Sequence, residues 1–527
     1  MTTVFEDSTL QERAAARGES PSLIEAFGIR RLYGYRTVSL SSEYAATILI
    51  AKNGTGKTTL IGALDAFLRL QLSRLRNIEF SEIFCKLRGL QDEIILTHDE
   101  LMTFLTIPKG GGVFRLATQI GVSGDSLFDF ILSDFSTKLR EYHYGGSGDI
   151  PNKLVTHYGY EPSRAIKACT ELYEALFDQS ESLRFIRETL TTYLEGFEVV
   201  YLPTYRRVEL ALTDEPDSRR GGRRRRPKFS VASGSLHVGE IQFGLSDISD
   251  RLIDINRSII LQSNNGYRKL SENIISDLIK GFDVPDGIVI PKQEDLKLFF
   301  ARMESSGRDY GPYYPISTPD FDRVYSEHGV PPESRDFLTY FLGKLNEIVE
   351  TTKAIEGPVN DFVLSCNKYL SSTEPTTDLD YVVDQQRLEP IDNKIMRLDR
   401  TNLSVHVESL PKGRPVSLDA LSSGEKQMIS LLAKLYLYPK RKIVLIDEPE
   451  LSLSIDWQRG ILVDVILAES CEQVVAITHS PFVFDNSLEP FAKSLSLKIE
   501  NDDQPFFDLD DDIDFHEEMN GEIYSDD

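Results

Sequence analysis

From residue 23 onward, short apolar runs alternate with polar turns. The stretch "IEAFGIRRLYGYRTVSLSSEYAATILI" is strand-like, and its last run, ATILI, leads directly into "AKNGTGKTTLIGALDAFLRL". From Leu60 the apolar spacing turns helical. "EVVYLPTYRRVEL" reads as a further buried strand leaving the core. Between Leu236 and about Ser372 the pattern is mostly helical. Ile241, Leu245, Ile248, Leu252, Ile255 and Ile259 follow a 4-3-4-3-4 spacing, the seam of a coiled-coil arm. Leu338, Phe341, Leu345, Ile348 and Ile355 supply a returning helix, and "GYRKLSENIISDLIKGF" fits a helix at the arm's base or tip. An amphipathic helix packed on a globular lid satisfies the same pattern, because neither run sustains four heptads. Beyond Arg400, β character returns in "LSVHVESL", "RKIVLIDE" and "CEQVVAITHS". The resulting division is a flexible tail over 1–22, α/β segments over 23–230 and 385–500, a helical insertion over 231–384, and a tail over 501–527.

Three strand ends carry chemistry. "AKNGTGKT", Ala51 to Thr58, is a phosphate-binding loop in its expected place between a strand and a helix. Gly54 and Gly56 let the backbone fold closely around phosphates with N–H groups pointing inward. Asn53, Gly54, Thr55, Gly56, Lys57, Thr58 and Thr59 are read as the nucleotide-binding set. Lys57 would bridge the β- and γ-phosphates of ATP, and the Thr58 hydroxyl would ligate Mg²⁺. Ala51 stands where the pattern has its first glycine, which is tolerable if its φ stays below zero. In "KIVLIDEPELSLS" the apolar run Ile443 to Ile446 delivers Asp447 and Glu448 to a strand's C-terminal end, the ligand-binding edge of a parallel sheet. Asp447 would hold Mg²⁺ through water, and Glu448 would orient and deprotonate the attacking water. "AITHSPFVFD" repeats the design, with Val474 to Ile477 delivering Thr478 and His479 to the same edge, where a histidine can sense a γ-phosphate.

A fourth stretch, "LDALSSGEKQMISLLAKLYLY", opens a helix with small residues and exposed backbone N–H groups, the chemistry of an anion site. Lys57 and Ser422 stand 365 positions apart. "LSSGE", Leu421 to Glu425, resembles the LSGGQ signature of ABC ATPases, with Ser423 and Glu425 as substitutions of the SMC-like branch. The order of phosphate loop, helical insertion, signature, Asp-Glu pair and histidine is similar to the SMC/RecF/OLD branch of that superfamily. "DEPELSLSIDWQ" and "YLPTYRRVE" resemble the ATPase subunit family of Septu-type antiphage defence, PtuA, which also serves some retrons.

The resemblance implies an ABC-type ATPase head interrupted by a helical insertion, binding ATP and Mg²⁺. It implies a homodimer or higher homo-oligomer closed head to head around nucleotide. In it, Ser422, Ser423, Gly424 and Glu425 of one copy face the ATP held by the other. It further implies a separate HNH nuclease partner (PtuB-like), and in retrons a reverse transcriptase with its msDNA. The alternative is a stand-alone RecF- or SMC-like ATPase of DNA maintenance. Many ABC proteins end the loop after the Asp-Glu pair with aspartate, where this chain has Ser454. About 47 residues follow Ser480, mostly acidic, and no nuclease motif is visible, so any nuclease is expected on another chain.

Charge sharpens the partner question. The net charge is −25, and residues 501–527 hold twelve acidic residues with no Lys or Arg. Removing those twelve charges from −25 leaves −13 on the first 500 residues, which repels nucleic acid on average. Any nucleic-acid contact therefore needs a local patch. Arg219, Arg220, Arg223, Arg224, Arg225 and Arg226 supply one candidate, although a plain exposed linker fits as well. The acidic tail, with "PFFDL" and "IDF", fits either a docking segment or a disordered solubilising tail. Four scattered cysteines, no signal-peptide pattern and no apolar run of about 20 residues predict a soluble cytoplasmic protein.

Overall fold

A computed structural model describes residues 2–52, 54–106, 111–140, 150–203, 245–281, 287–307, 321–326, 330–370, 393–410 and 413–499. Asn53, the arginine-rich stretch at 219–226 and the acidic segment 501–527 lie outside them. The chain divides into two compact units. One comprises residues 1–238, 443–449 and 472–527, the other 239–442 and 450–471.

The first unit carries two five-stranded sheets. Strands β1 (Ile24–Leu32), β2 (Arg36–Ser41), β4 (Glu82–Leu87), β5 (Ile94–Thr97) and β13 (Ser496–Ile499) form an antiparallel sheet ordered β13-β2-β1-β4-β5. Strands β3 (Ala46–Ile50), β6 (Phe197–Leu202), β10 (Arg441–Asp447), β11 (Cys471–Thr478) and β12 (Ala492–Ser494) form the other, ordered β12-β3-β11-β10-β6. In it β3 pairs in parallel with both β11 and β12. Strand β10 is buried at every position from Lys442 to Asp447, matching the near-continuous apolar run expected where both faces are covered. Gln473, fully buried, ties the two sheets together. Its Oε1 accepts the N–H groups of Leu23 and Ile24 at 2.9 Å each, and its Nε2 donates to the Ile24 carbonyl at 3.2 Å.

Helix α2 (Lys57–Leu68) runs from the phosphate loop into this core, burying Leu60, Ile61, Leu64 and Phe67 completely. A helical layer from α3 (His98–Leu105) to α9 (Glu181–Tyr193) extends the same core through Phe104, Phe128 and Phe177. The flexible N-terminal tail is not what the structure shows. Residues Thr2–Gly18 form helix α1, whose alanine-rich "ERAAARG" favours helix and buries Ala14 and Gly18 four residues apart. A Cβ on Gly18 would lie 2.6 Å from the Phe491 ring, and Gln11 Oε1 accepts the Ser487 N–H at 3.1 Å.

The second unit is built on two long helices, α10 (Leu245–Lys280) and α13 (Pro332–Leu370), which pack together alongside α11 (Gln293–Gly307) and α12 (Phe321–Val324). Of the six expected seam positions on α10, Ile248, Leu252, Ile255 and Ile259 are all buried; Ile241 and the side chain of Leu245 lie outside what the structure describes. Two details differ. The "GYRKLSENIISDLIKGF" stretch is no separate helix, since α10 continues through Gly266, whose missing side chain admits Ile348; a Cβ there would come within 2.8 Å. On α13 the buried stripe runs through Leu342, Leu345, Val349, Thr352 and Glu356, so only Leu345 of the five expected positions lies fully inside. Thr352 and Glu356 hid this phase because polar residues do not count in an apolar pattern. Glu356 is 1% exposed between Arg302 and Arg400. Burial raises its pKa, but hydrogen bonds and charge from the two guanidiniums outweigh that and hold it below the usual range.

The remainder of this unit is a three-stranded antiparallel sheet and two helices. Strands β7 (Lys394–Asp399), β8 (Ser404–Ser409) and β9 (Arg414–Val416) form the sheet; α14 (Ser423–Leu437) packs on α13, and α15 (Ile455–Leu467) is tied to α13 by Asp464, which accepts the Tyr369 hydroxyl at 2.6 Å. The compact units therefore cut across the expected segment 385–500. Its signature half belongs with the long helices, and its two apolar strands complete the phosphate-loop sheet. All four cysteines are buried, and among the described residues none forms a disulfide. Among the described residues, no helix is long and apolar enough to cross a membrane.

Candidate active site

The phosphate loop follows β3 and opens α2 through backbone that only glycine adopts easily. Gly54 has φ +84°, and Gly56, the residue before the helix, has φ +96°. Ala51 is absent from the positive-φ residues and is buried, its N–H donating to the Thr478 carbonyl at 3.3 Å, so the extra methyl is accommodated. The N-terminus of α2 has no side-chain cap, which leaves its first N–H groups for another acceptor.

Three distant segments converge here. Lys57 starts α2 and is 6% exposed. Its Nζ lies 3.2 Å from Glu448 Oε1 and 3.4 Å from His479 Nδ1, across 391 and 422 positions of sequence. His479 Nδ1 is 3.6 Å from the same Glu448 oxygen. Strands β3, β10 and β11 end together, which is why residues 57, 448 and 479 meet. Glu448 leaves β10 with φ +54°, unusual for a side chain-bearing residue, and its N–H donates to the Ile477 carbonyl at 2.8 Å. That left-handed turn aims the carboxylate at Lys57 one residue after Asp447, which is 1% exposed. Strain of this kind persists where surrounding structure over-determines it, and it concentrates at functional sites.

The donor set fits magnesium-bound triphosphate. A hydroxyl (Thr58) and one buried carboxylate (Asp447) are hard oxygen donors, and Mg²⁺ is usually held by one or two carboxylates with substrate phosphates rather than by a protein cage. Among the described residues no cluster of three or more His, Cys, Asp or Glu suits a metal. When bound, the ion would neutralise phosphate charge.

Two features escaped the sequence reading. Arg36 on β2 donates from Nη1 to the Gly54 carbonyl at 2.8 Å, bracing the phosphate loop. Its guanidinium also lies 5.1 and 5.5 Å from the ring centroids of Tyr33 and Tyr35, both well exposed. The clue was "YGYR", two aromatics around a glycine in the turn between β1 and β2, with Tyr33 at φ +55°.

The second missed feature sits at the signature, in the other unit. Ser422 caps α14: its Oγ accepts the Glu425 N–H at 3.3 Å, and Glu425 Oε2 accepts the Ser422 N–H at 2.7 Å, a capping box. Lys394, on β7, donates to both Glu425 oxygens at 2.9 and 3.1 Å. Nothing near residue 425 in sequence announces it. Gly424 is required sterically, since a Cβ would lie 2.2 Å from the Ser452 carbonyl oxygen. Ser422 is exposed and Ser423 half-buried, so the mouth of this helix is open to solvent. Ser454 caps the start of α15 without a side-chain hydrogen bond.

Residues 244–485 match the protein family described as "AAA domain, putative AbiEii toxin, Type IV TA system". That stretch is similar to an AAA-type ATPase domain. It includes the signature, Asp447, Glu448 and His479, while the phosphate loop lies upstream of it. No curated protein matches the chain. Among solved structures, the Smc head domain with an extended coiled coil, bound to the C-terminal domain of ScpA, from Pyrococcus furiosus is similar. The identity is 11% over 90% of this chain and 96% of that one, with a TM-score of 0.31. At that score the likeness has no weight for function.

Proposed function

We propose that this chain binds and hydrolyses ATP as the head-to-head dimerising ATPase subunit of a PtuA-like antiphage defence complex, controlling a separate HNH nuclease. The observation that carries the ATPase reading is the convergence of Lys57, Glu448 and His479 beside glycines at φ +84° and +96° and a buried Asp447. Lys57 holds the β- and γ-phosphates, and its present partner Glu448 is released when they arrive. Glu448 then accepts the proton of the attacking water, with His479 reporting on the γ-phosphate from the adjacent strand end. Tyr33 and Tyr35 offer exposed rings for the base. Thr58 and Asp447 would hold Mg²⁺. The signature mouth at Ser422 to Gly424 closes on the nucleotide of a second copy.

Control of a partner chain rests on the sequence resemblance. The matched family's description, a toxin of a toxin–antitoxin system, fits a component whose action another component governs. Retron reverse transcriptase and msDNA are further candidate partners, with the arginines at 219–226 as their contact. The test is co-expression of the tagged chain with a small HNH nuclease from its own genomic neighbourhood. Co-purification and ATP-dependent change in nuclease activity are expected. A nuclease that neither co-purifies nor responds to Glu448→Gln would remove the partner assignment. The paired long helices α10 and α13 favour one second reading, an SMC-like arm that embraces DNA. It predicts ATP-dependent duplex binding by the pure protein, which the defence reading does not require.

A further inference from the structure

Glu425 poses an electrostatic problem at the signature. A helix N-terminus carries roughly half a positive charge, and this attracts phosphate. A carboxylate in the first turn stabilises the helix but cancels that attraction for any incoming anion. Here the carboxylate is not left alone. Lys394 Nζ meets Oε1 at 2.9 Å and Oε2 at 3.1 Å, and the two side chains are only 15% and 10% exposed. Screening by water is weak at such burial, so the charge balance at this mouth is set by the pair rather than by solvent.

The geometry is also selective about which groups are used. Glu425 Oε2 takes the Ser422 N–H, and both carboxylate oxygens take Lys394. The Ser422 Oγ serves as acceptor from the Glu425 N–H, so its own proton remains to be donated outward. Lys394 is placed by β7, whose register with β8 sets Lys394 opposite Ser409, and not by the helix it serves. Removing the lysine would leave an uncompensated, nearly buried carboxylate beside the serine that faces solvent.

We propose that Lys394 is a positioning residue for nucleotide phosphate. By neutralising Glu425 and fixing it in the capping box, it makes an otherwise anion-repelling signature helix able to receive the triphosphate bound by a second copy of the chain. This rests on the head-to-head reading above. It adds a residue that neither the signature motif nor the phosphate loop contains.

The test is a charge cycle on the full chain, using Lys394→Met, Glu425→Gln, the double variant and Lys394→Arg. The readouts are ATP-driven self-association by sedimentation, and binding of ADP to the chain's own phosphate loop. Lys394→Met should weaken ATP-driven association about tenfold or more, the scale of one uncompensated charge at an effective dielectric near 20. ADP binding should stay within about twofold, because the lesion lies at the partner-facing mouth. In the Glu425→Gln background the same lysine change should cost less than about threefold, since no charge remains to be balanced. Lys394→Arg should keep association within about threefold, as it keeps the charge. Equal losses in both backgrounds, or no loss at all, would overturn the proposal, since a lysine that acts by balancing Glu425 must lose its effect once that charge is gone; a loss of folding stability that accounts for the lost association, read by denaturant unfolding of the same variants, would overturn it too. Ser422→Arg separates the two levels of inference. If it leaves ATP-driven association intact, the head-to-head reading fails. If it abolishes association while Lys394→Met does not, only the role of Lys394 fails.

Discussion

Helices α2 and α14 begin with similar sequence, small residues followed by an apolar run, yet their N-termini are finished in opposite ways. At α2 the residue before the helix is Gly56 with no side-chain cap, and the nearby charge is a cation, Lys57, 6% exposed. At α14 the residue is Ser422 in a complete capping box, and the first-turn charge is an anion, Glu425, itself balanced by Lys394. Under the proposed function, the contrast separates the mouth that would hold phosphate by itself, where Lys57 has only to exchange Glu448 for the anion, from one that would join later. An uncapped turn with a buried lysine is poised for a ligand, whereas a self-capped turn with a neutralised carboxylate is stable by itself and adds little attraction of its own. That asymmetry is what an assembly needs if one site binds nucleotide first and the other joins later.

The comparison can be broken most severely at Glu448. Glu448→Gln should cut ATP turnover by about 10²- to 10⁴-fold, the usual share of a general base, while nucleotide binding persists. Steady-state phosphate release with parallel ATP binding decides this, and equal turnover in variant and wild type would remove Glu448 from the chemistry. Next comes Gly424→Ala, whose Cβ would sit 2.2 Å from a backbone oxygen that no side-chain rotation relieves. Overpacking of this kind costs about 1–3 kcal/mol, and denaturant unfolding should show it. Gly56→Ala should cost about 1–2 kcal/mol, because φ +96° is strained for any residue with a Cβ. It should also weaken ATP binding, measurable by fluorescent nucleotide titration. The smallest effect is Ser422→Ala, about 1 kcal/mol from loss of the cap. A destabilisation well below that would mean the box contributes little to α14.

Much of the site was legible in the sequence because each element is local. The glycines, Lys57 and Thr58 lie within one turn, and the runs Ile443 to Ile446 and Val474 to Ile477 announce buried strands that end in Asp447, Glu448 and His479. The α10 seam was legible for the same reason, as a regular apolar period. What escaped was non-local or polar. Arg36 braces Gly54 across 18 positions and Lys394 meets Glu425 across 31. The buried stripe of α13 includes Thr352 and Glu356, which a hydrophobic pattern ignores. Helix α1 was missed because its docking depends on two small residues, Ala14 and Gly18, rather than on an apolar face.

The sequence by itself determined the chemical parts: a loop shaped by glycines, a lysine, paired acids, a histidine and a serine-capped helix. These follow from local backbone preference and from the period of apolar residues, which any short window contains. Only the tertiary structure decided that residues 57, 448 and 479 meet within 3.6 Å. It alone grouped the signature helix with the long helices and gave Glu425 its counter-charge. Those outcomes depend on sheet order and on contacts between distant segments, where the energy of a pairing resides in neither partner alone.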